Sequence, residues 1–296
     1  MECRVCNALD TYLIMQLEES SWRLCRRCLL LQRTPVESSF ADRYVFNEGY
    51  QWGVTTEGFS EEAFRERTAY IGRWWDFFAN HVRLKENIRV LDLGSGTGAL
   101  AEHLKHKKNV EVIGIEPSVK NEAFSRNRGH TVVRGFLRDG MFEEQTFDVM
   151  HLGNCGRLIP DVFQVFRIFH KILRTDGFIF LSDKEYHFSG LYPGDAIKRA
   201  DGAFYFSKPA LCNLMTLTGF EVVFYRNLFG EVKLIARKSS KPSVALRGSV
   251  PIELCILRML PVIDILFDKV HRALLKLPRS ESLLLKPLGR KLKFLP

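Results

Sequence analysis

VLDLGSGTGAL, residues 90–100, is a short apolar run that ends in an acid and then in three glycines at alternate positions, Gly94, Gly96 and Gly98. The pattern predicts a strand, a tight loop and the start of a helix. Glycine tolerates positive φ and lets the main chain lie against a ligand, so three of them here point to a bound group touching the backbone. Residues 110–115 form a second apolar run, which stops at Glu116 and Pro117. Strand, glycine loop, helix, strand and acid describe a mononucleotide-binding βαβ unit, with the acid placed to accept hydrogen bonds from two ribose hydroxyls. The register Gly94-x-Gly96-x-x-Ala99 also satisfies the looser dinucleotide fingerprint of nicotinamide and flavin enzymes. Asp92, two residues before the first glycine, stands where such a strand usually carries an apolar side chain.

The alternation continues downstream. Residues 118–128 are expected as a polar helix, 131–134 and 147–152 as strands, and 161–173 as a helix whose turn Gly177 closes before a strand at 178–182. Residues 207–217 carry a serine N-cap and are ended by Gly219, and strands at 221–225 and 231–237 are near enough to pair as a hairpin. Upstream, Phe64, Ile71, Trp74, Trp75, Phe78 and Val82 fall at helical spacing, which predicts an amphipathic helix over 60–82. Strands alternating with helices imply a parallel sheet with ligands at its carboxyl ends.

Together, the VLDLGSGTGAL block, the acid at 116, FDVMHL at 147–152, LRTDG at 173–177 and the YFSKPAL and TGFEVV sections resemble the class I S-adenosylmethionine-dependent methyltransferases. The resemblance covers roughly residues 60–238. It implies a Rossmann-like seven-stranded sheet with helices on both faces and S-adenosylmethionine as cofactor. Asp92, Gly94, Ser95, Gly96 and Gly98 would line the methionine end, and Glu116 the ribose. Phe136 or Leu137 would lie against adenine, and Gly153 with Asn154 would border the reacting methyl. No catalytic side chain is assigned: His151, His187, Asp183 and Glu185 stand near strand ends as candidate bases or as exposed or structurally bonded groups.

In front of that domain, Cys3, Cys6, Cys25 and Cys28 form two Cys-x2-Cys knuckles with 18 residues between the pairs. Four thiolates at this spacing suit a closed, structural tetrahedral Zn²⁺ site, and reduced metal-free cysteines are the alternative. Cys155, Cys212 and Cys255 stand alone in apolar surroundings and read as packing residues. The chain thus divides into a zinc ribbon at 1–35, an aromatic linker or lid at 36–59, a cofactor domain at 60–238 and a tail at 239–296. With the knuckles in front, the resemblance is to bacterial methyltransferases of sugar, polysaccharide and secondary-metabolite pathways. The ketosugar C-methyltransferases of that group carry a Glu-His pair where this chain reads Asp201-Gly202-Ala203, which speaks against carbon methylation of a ketosugar.

The net charge of +9 is confined to the tail: residues 237–296 hold 13 Lys and Arg against 4 Asp and Glu, and the rest holds 30 of each sign. Ile263, Leu266, Phe267, Val270, Leu274 and Leu277 give one apolar helix face followed by Arg279, Lys286, Arg290, Lys291 and Lys293. Such a helix can lie at a membrane interface, or dock on this protein or a second subunit. No run is apolar enough to span a bilayer and no secretory signal opens the sequence, so a cytoplasmic protein, peripheral to the inner membrane face at most, is expected.

Three functions fit. The first is methyl transfer to a small or lipid-linked acceptor such as a sugar. The second is a zinc-containing RNA methyltransferase, against which stand the distance of the basic surplus from the zinc unit and the missing Asn-Pro-Pro-aromatic signature of exocyclic amine methylation. The third is a cofactor-binding module without turnover.

Overall fold

The structure, a computed structural model, describes residues 2–16, 18, 20–35, 60–107, 109–184, 202–228 and 231–239. The aromatic linker, His187, Glu185, Asp201, Cys255 and the basic tail lie outside the described residues.

In chain order the strands are β1 (Thr11–Gln16), β2 (Ser21–Cys25), β3 (Leu31–Thr34), β4 (Ile88–Leu93), β5 (Val110–Glu116), β6 (Thr131–Arg134), β7 (Phe147–Gly153), β8 (Leu173–Lys184), β9 (Phe204–Tyr205), β10 (Phe220–Leu228) and β11 (Glu231–Lys238). The helices are α1 (Glu61–Ala79), α2 (Ala99–Leu104), α3 (Val119–Asn127), α4 (Val162–Ile172) and α5 (Lys208–Leu217). Seven strands form one sheet in the order β10-β11-β8-β7-β4-β5-β6. β4 to β8 are mutually parallel, β11 runs antiparallel to β8, and β10 and β11 pair antiparallel as their proximity predicted.

The central strands are apolar on both faces because helices cover both. Val90, Val149, Phe180 and Ile235 pack with Trp75 and Phe78 of α1 and Leu100 and Leu104 of α2. The other face sets Leu91, Met150, Leu152 and Leu181 against Phe166 and Phe169 of α4 and Leu211 and Leu214 of α5. Four of the five helix starts are capped by a side chain, with Ser60, Ser118, Asp161 and Ser207 accepting backbone N–H groups three residues on, while α2 starts from Gly98 without one.

Two expectations are corrected. Gly177 does not close a turn after α4; it lies inside β8, which begins directly at Leu173. A Cβ at Gly177 would come within 2.6 Å of Leu173 Cδ1 and 2.9 Å of the Asp148 carbonyl, so the glycine serves close strand approach where β7 and β8 shift register. The first helix ends at Ala79, not 82, with Asn80 as its cap.

A second, antiparallel sheet has the order β1-β2-β3-β9. Three of its strands come from the cysteine-bearing segment and the fourth is Phe204–Tyr205 of the larger domain, paired as Leu31↔Tyr205 and Gln32↔Phe204. Trp22 meets Tyr205 across this joint with ring centroids 5.5 Å apart.

Candidate active site

A cleft of about 480 Å³ opens at the carboxyl ends of β4, β5, β6 and β7, a size ordinary for a small-molecule site. Gly94, Gly96, Glu116, Phe136, Leu137, Gly153 and Asn154 all line it, so most of the residues proposed from sequence converge here. The α4 start supplies the opposite wall, with Leu158, Ile159, Pro160, Asp161, Gln164 and Ile168.

The glycine loop follows from local geometry. Gly94, Gly96 and Gly98 all have positive φ, at 70°, 56° and 81°. Gly98 could not gain a Cβ, which would stand 2.4 Å from both His130 Nδ1 and Ser125 Oγ. A Cβ on Gly96 would meet nothing within 4 Å, and the Gly96 N–H donates to Glu116 Oε2 at 2.7 Å. The open space above Gly96 is what a ligand lying on the main chain requires.

Glu116 ends β5 with its side chain buried. Oε1 accepts from Ser118 N–H at 2.9 Å and, weakly, from Asn121 Nδ2 at 3.5 Å. Burial raises its carboxyl above the ordinary carboxylate range, against the pull of the Ser118 and Gly96 N–H groups. The Gly96 and Ser118 N–H groups take two of a carboxylate's about four lone-pair sites, and two vicinal hydroxyls fit where the weak 3.5 Å Asn121 contact gives way. Phe136 is 41% exposed beside it, a free ring face for a planar base, while Leu137 is buried.

A side cavity of about 50 Å³ is bordered by Arg67, Asp92, Ser95, Gly96 and His151. Asp92 and His151 are both buried, and His151 Nδ1 donates to Asp92 Oδ1 at 2.7 Å. His151 is therefore structurally bonded, and Asp92 meets the imidazole. Asp183 is likewise structural: it accepts from the Arg157 N–H at 3.0 Å and faces the buried Arg157 guanidinium. Ser95 Oγ packs against β5, where a Cβ on Gly114 would stand 2.5 Å from it.

Three features escaped the sequence reading. Cys155, expected as simple packing, borders the cleft, and its thiol donates to the Leu93 carbonyl at 3.0 Å. Burial, with the Asp183 and Asp92 carboxylates nearby, pushes that thiol well above its usual value, which favours the protonated form. Arg67 of α1 reaches both cavities, a position that helical periodicity alone does not indicate. A polar cluster around Glu231 and Lys233 lies beside Asn154, joined by residues far apart in the chain.

The four knuckle cysteines come together, with all sulfurs within 4.8 Å of one another. Cys3 and Cys28 sulfurs are 3.5 Å apart and those of Cys6 and Cys25 3.6 Å. A tetrahedral ion with bonds of about 2.3 Å separates its sulfurs by about 3.8 Å, so the donor set fits zinc. Both knuckles fold alike. Asn7 and Leu29, each four residues after a cysteine, have positive φ and donate N–H to the Cys3 and Cys25 carbonyls at 2.9 Å.

Comparison with known proteins agrees with this geometry. Residues 63–224 match the family model described as a methyltransferase domain. The sterol 24-C-methyltransferase of Candida albicans is 26% identical over 139 residues, which are 43% of this chain and 36% of that protein. Phosphoethanolamine N-methyltransferase 2 of Caenorhabditis elegans is 26% identical over 197 residues, 59% of this chain and 44% of that one. The chain thus spans less than half the length of either relative. Among solved structures, a complex of a Haloferax volcanii methyltransferase with its Trm112 activator aligns with a TM-score of 0.53 at 12% identity. That match covers 62% of this chain and 96% of the other, and at this identity it supports the fold alone. The family match takes in more than half of the 296 residues, from α1 into β10, and the chain belongs to the methyltransferase-domain family.

Proposed function

We propose that the protein transfers the methyl group of S-adenosylmethionine to a small or lipid-linked acceptor such as a sugar. The observation that carries this reading is the cleft built around Glu116 and the unobstructed Gly96 main chain. In this reading Glu116 holds the two ribose hydroxyls, Phe136 or Leu137 lies against the adenine, and Gly94, Ser95, Gly96 and Gly98 follow the methionine chain. Asp92, bonded to His151, borders that end. Gly153 and Asn154 border the methyl group. When bound, the sulfonium supplies an electrophilic methyl carbon, and in-line positioning supplies most of the acceleration. The relatives act, by their names, on a sterol carbon and on phosphoethanolamine nitrogen, so the acceptor rests on the sequence resemblance.

We further propose a structural Zn²⁺ on Cys3, Cys6, Cys25 and Cys28, and a cytoplasmic enzyme whose basic tail touches anionic lipid or protein. No described helix is long and apolar enough to cross a membrane. Isothermal titration tests the cofactor: heat with S-adenosylmethionine and none with NADH is expected, and the reverse result would overturn the reading. Labelled cofactor incubated with lipid, sugar and RNA fractions then identifies the acceptor, and label appearing only in RNA would refute a small or lipid-linked one.

A further inference from the structure

Among the described residues, those bordering the main cleft and the side cavity carry three carboxylates, Asp92, Glu116 and Asp161, and a single lysine or arginine, Arg67. Arg67 stands on α1 one turn before Ile71, which lines the side cavity with it, so this face of the helix is the one turned to the glycine loop. The side chain is half-buried and borders both spaces. Its guanidinium forms no hydrogen bond and no ion pair among the described residues, and none of its nitrogens is sealed from solvent. It lies loosely over the Tyr70 ring, 5.5 Å from the centroid.

Two other arginines drawn out of water each hold a carboxylate: Arg157 lies 3.3 Å from Asp183 and Arg174 2.8 Å from Asp148. Arg67 has no such partner. Burial lowers its guanidinium from the ordinary arginine value, against the pull of Tyr70, Asp92 and Glu231, and an arginine keeps its charge under that shift. A cation partly stripped of water and left unpaired is costly, so a cleft that keeps one open is suited to receive an anion. Asp92 does not fill the role: it shares the side cavity with Arg67 without pairing to it, and its Oδ1 is taken by His151 Nδ1 at 2.7 Å. Any anionic group that enters either space meets the three carboxylates, and Arg67 is the side chain there that offsets them. Its planar fork suits a carboxylate or a phosphate, which it can grip through two parallel N–H···O bonds.

We infer that Arg67 is the anion-binding residue of the cleft and takes a carboxylate or phosphate group of a bound ligand on its guanidinium. The inference rests on the methyltransferase reading, under which two ligands offer such a group: the amino-acid end of the cofactor in the side cavity, and an acidic acceptor in the main cleft beside Gly153.

Titration calorimetry of the full chain separates the two sources. S-adenosylhomocysteine carries the amino-acid carboxylate, whereas methylthioadenosine keeps the adenosine and the sulfur and lacks it. If the guanidinium holds the cofactor, Arg67→Gln weakens S-adenosylhomocysteine by at least about tenfold, the size of one charge-assisted hydrogen bond, and methylthioadenosine by less than about threefold. If it holds the acceptor, S-adenosylhomocysteine is unchanged, the native chain saturated with it binds inorganic phosphate, and Arg67→Gln loses that binding. Arg67→Lys keeps the charge without the fork, so in the arm that responds it should fall between the native chain and Arg67→Gln. It also covers the case in which Arg67→Gln fails to fold. Equal losses for the two adenosine ligands in a folded variant, or no response in either arm, overturn the inference. Failure of both adenosine ligands to bind the unaltered chain overturns the methyltransferase reading itself.

Discussion

Replacing Glu116 tests the cofactor site most directly, because the carboxylate has two separable tasks. It already satisfies the Gly96 and Ser118 N–H groups at 2.7 and 2.9 Å, and its remaining lone pairs face the cleft that would hold the ribose. Each hydrogen bond from a ribose hydroxyl to this charge contributes about 1.5–3 kcal/mol, so two together contribute roughly 3–6 kcal/mol. Glu116→Ala should therefore weaken S-adenosylhomocysteine by at least about 100-fold, even where water refills part of the space. Glu116→Gln keeps one acceptor oxygen but turns an NH₂ toward one of the two backbone donors, and about tenfold is expected. The pH profile supplies an independent readout. Burial raises this carboxyl, so the folded chain binds the proton more tightly than the unfolded chain. Its contribution to folding stability is full below the unfolded value and is lost as pH rises through the folded one. Ligand affinity runs the other way, since hydroxyls donate to the ionised form, and it should rise with pH through that window. Titration calorimetry of the native chain at stepped pH should show that rise, and Glu116→Gln should flatten it. A Glu116→Ala variant that folds and binds within about threefold of the native chain, with the same pH profile, would refute the assignment of Glu116 to the ribose.

Gly96→Ala separates folding from binding: the added methyl meets no atom within 4 Å, so strain at φ 56° should cost only about 1 kcal/mol, while ligand affinity falls by tenfold or more; equal losses in melting and binding would count against main-chain contact. Metal analysis should find one zinc per chain, and Cys28→Ser should release it and lower the melting midpoint; a metal-free native protein of unchanged stability would sink the zinc site. Burial drives Lys233 down to about 8 despite the Glu231 carboxylate, so its folded value lies below its unfolded one. Native stability should consequently rise from about pH 8 toward the ordinary lysine range, a slope that Lys233→Met removes. Lys233→Met alone should cost about 3 kcal/mol, because Glu231 is left partly buried and unpaired, and Glu231→Gln added to it should restore part of the loss; additive losses would show the two side chains uncoupled.

The parts of this fold that could be read in the sequence are those whose physics is local. Positive φ demands glycine, a buried parallel strand demands an unbroken apolar run, and a helix start demands Ser60, Ser118, Asp161 or Ser207. Each leaves a mark within a few residues. Gly177 misled because a glycine after a helix has two uses, and the one realised depends on Asp148 in another strand. Tyr70, Asn154, Ser182, Glu231 and Lys233 come from α1, the loop after β7, β8 and β11, and no spacing in the chain announces that they meet. Leu29 has a positive φ that its side chain disfavours, and its N–H donates to the Cys25 carbonyl in the knuckle turn. Cys155 read as apolar packing because nothing near it in sequence reveals that Gly94 would touch its side chain.

The cysteine unit is tied to the cleft. Ser207 Oγ caps α5 at Ala210 and also donates to the Cys28 carbonyl at 3.4 Å, so one hydroxyl joins a knuckle to a core helix. Arg33 N–H donates to the Ala203 carbonyl at 2.9 Å, which extends the β3–β9 pairing across the joint. Arg4 lies between the first two cysteines, and its Nη1 donates to the Pro160 carbonyl at 2.6 Å, within the segment that walls the cleft opposite Glu116. Gln32 closes the circuit by accepting from Arg4 N–H and donating to the Glu2 carbonyl, both at 3.1 Å. A knuckle that loses its fold releases Arg4, and with it the bond that fixes the Pro160 carbonyl. Through Arg4 the first knuckle thus holds a direct hydrogen bond to the Pro160 carbonyl in the cleft wall, beside a small sheet with little apolar core of its own.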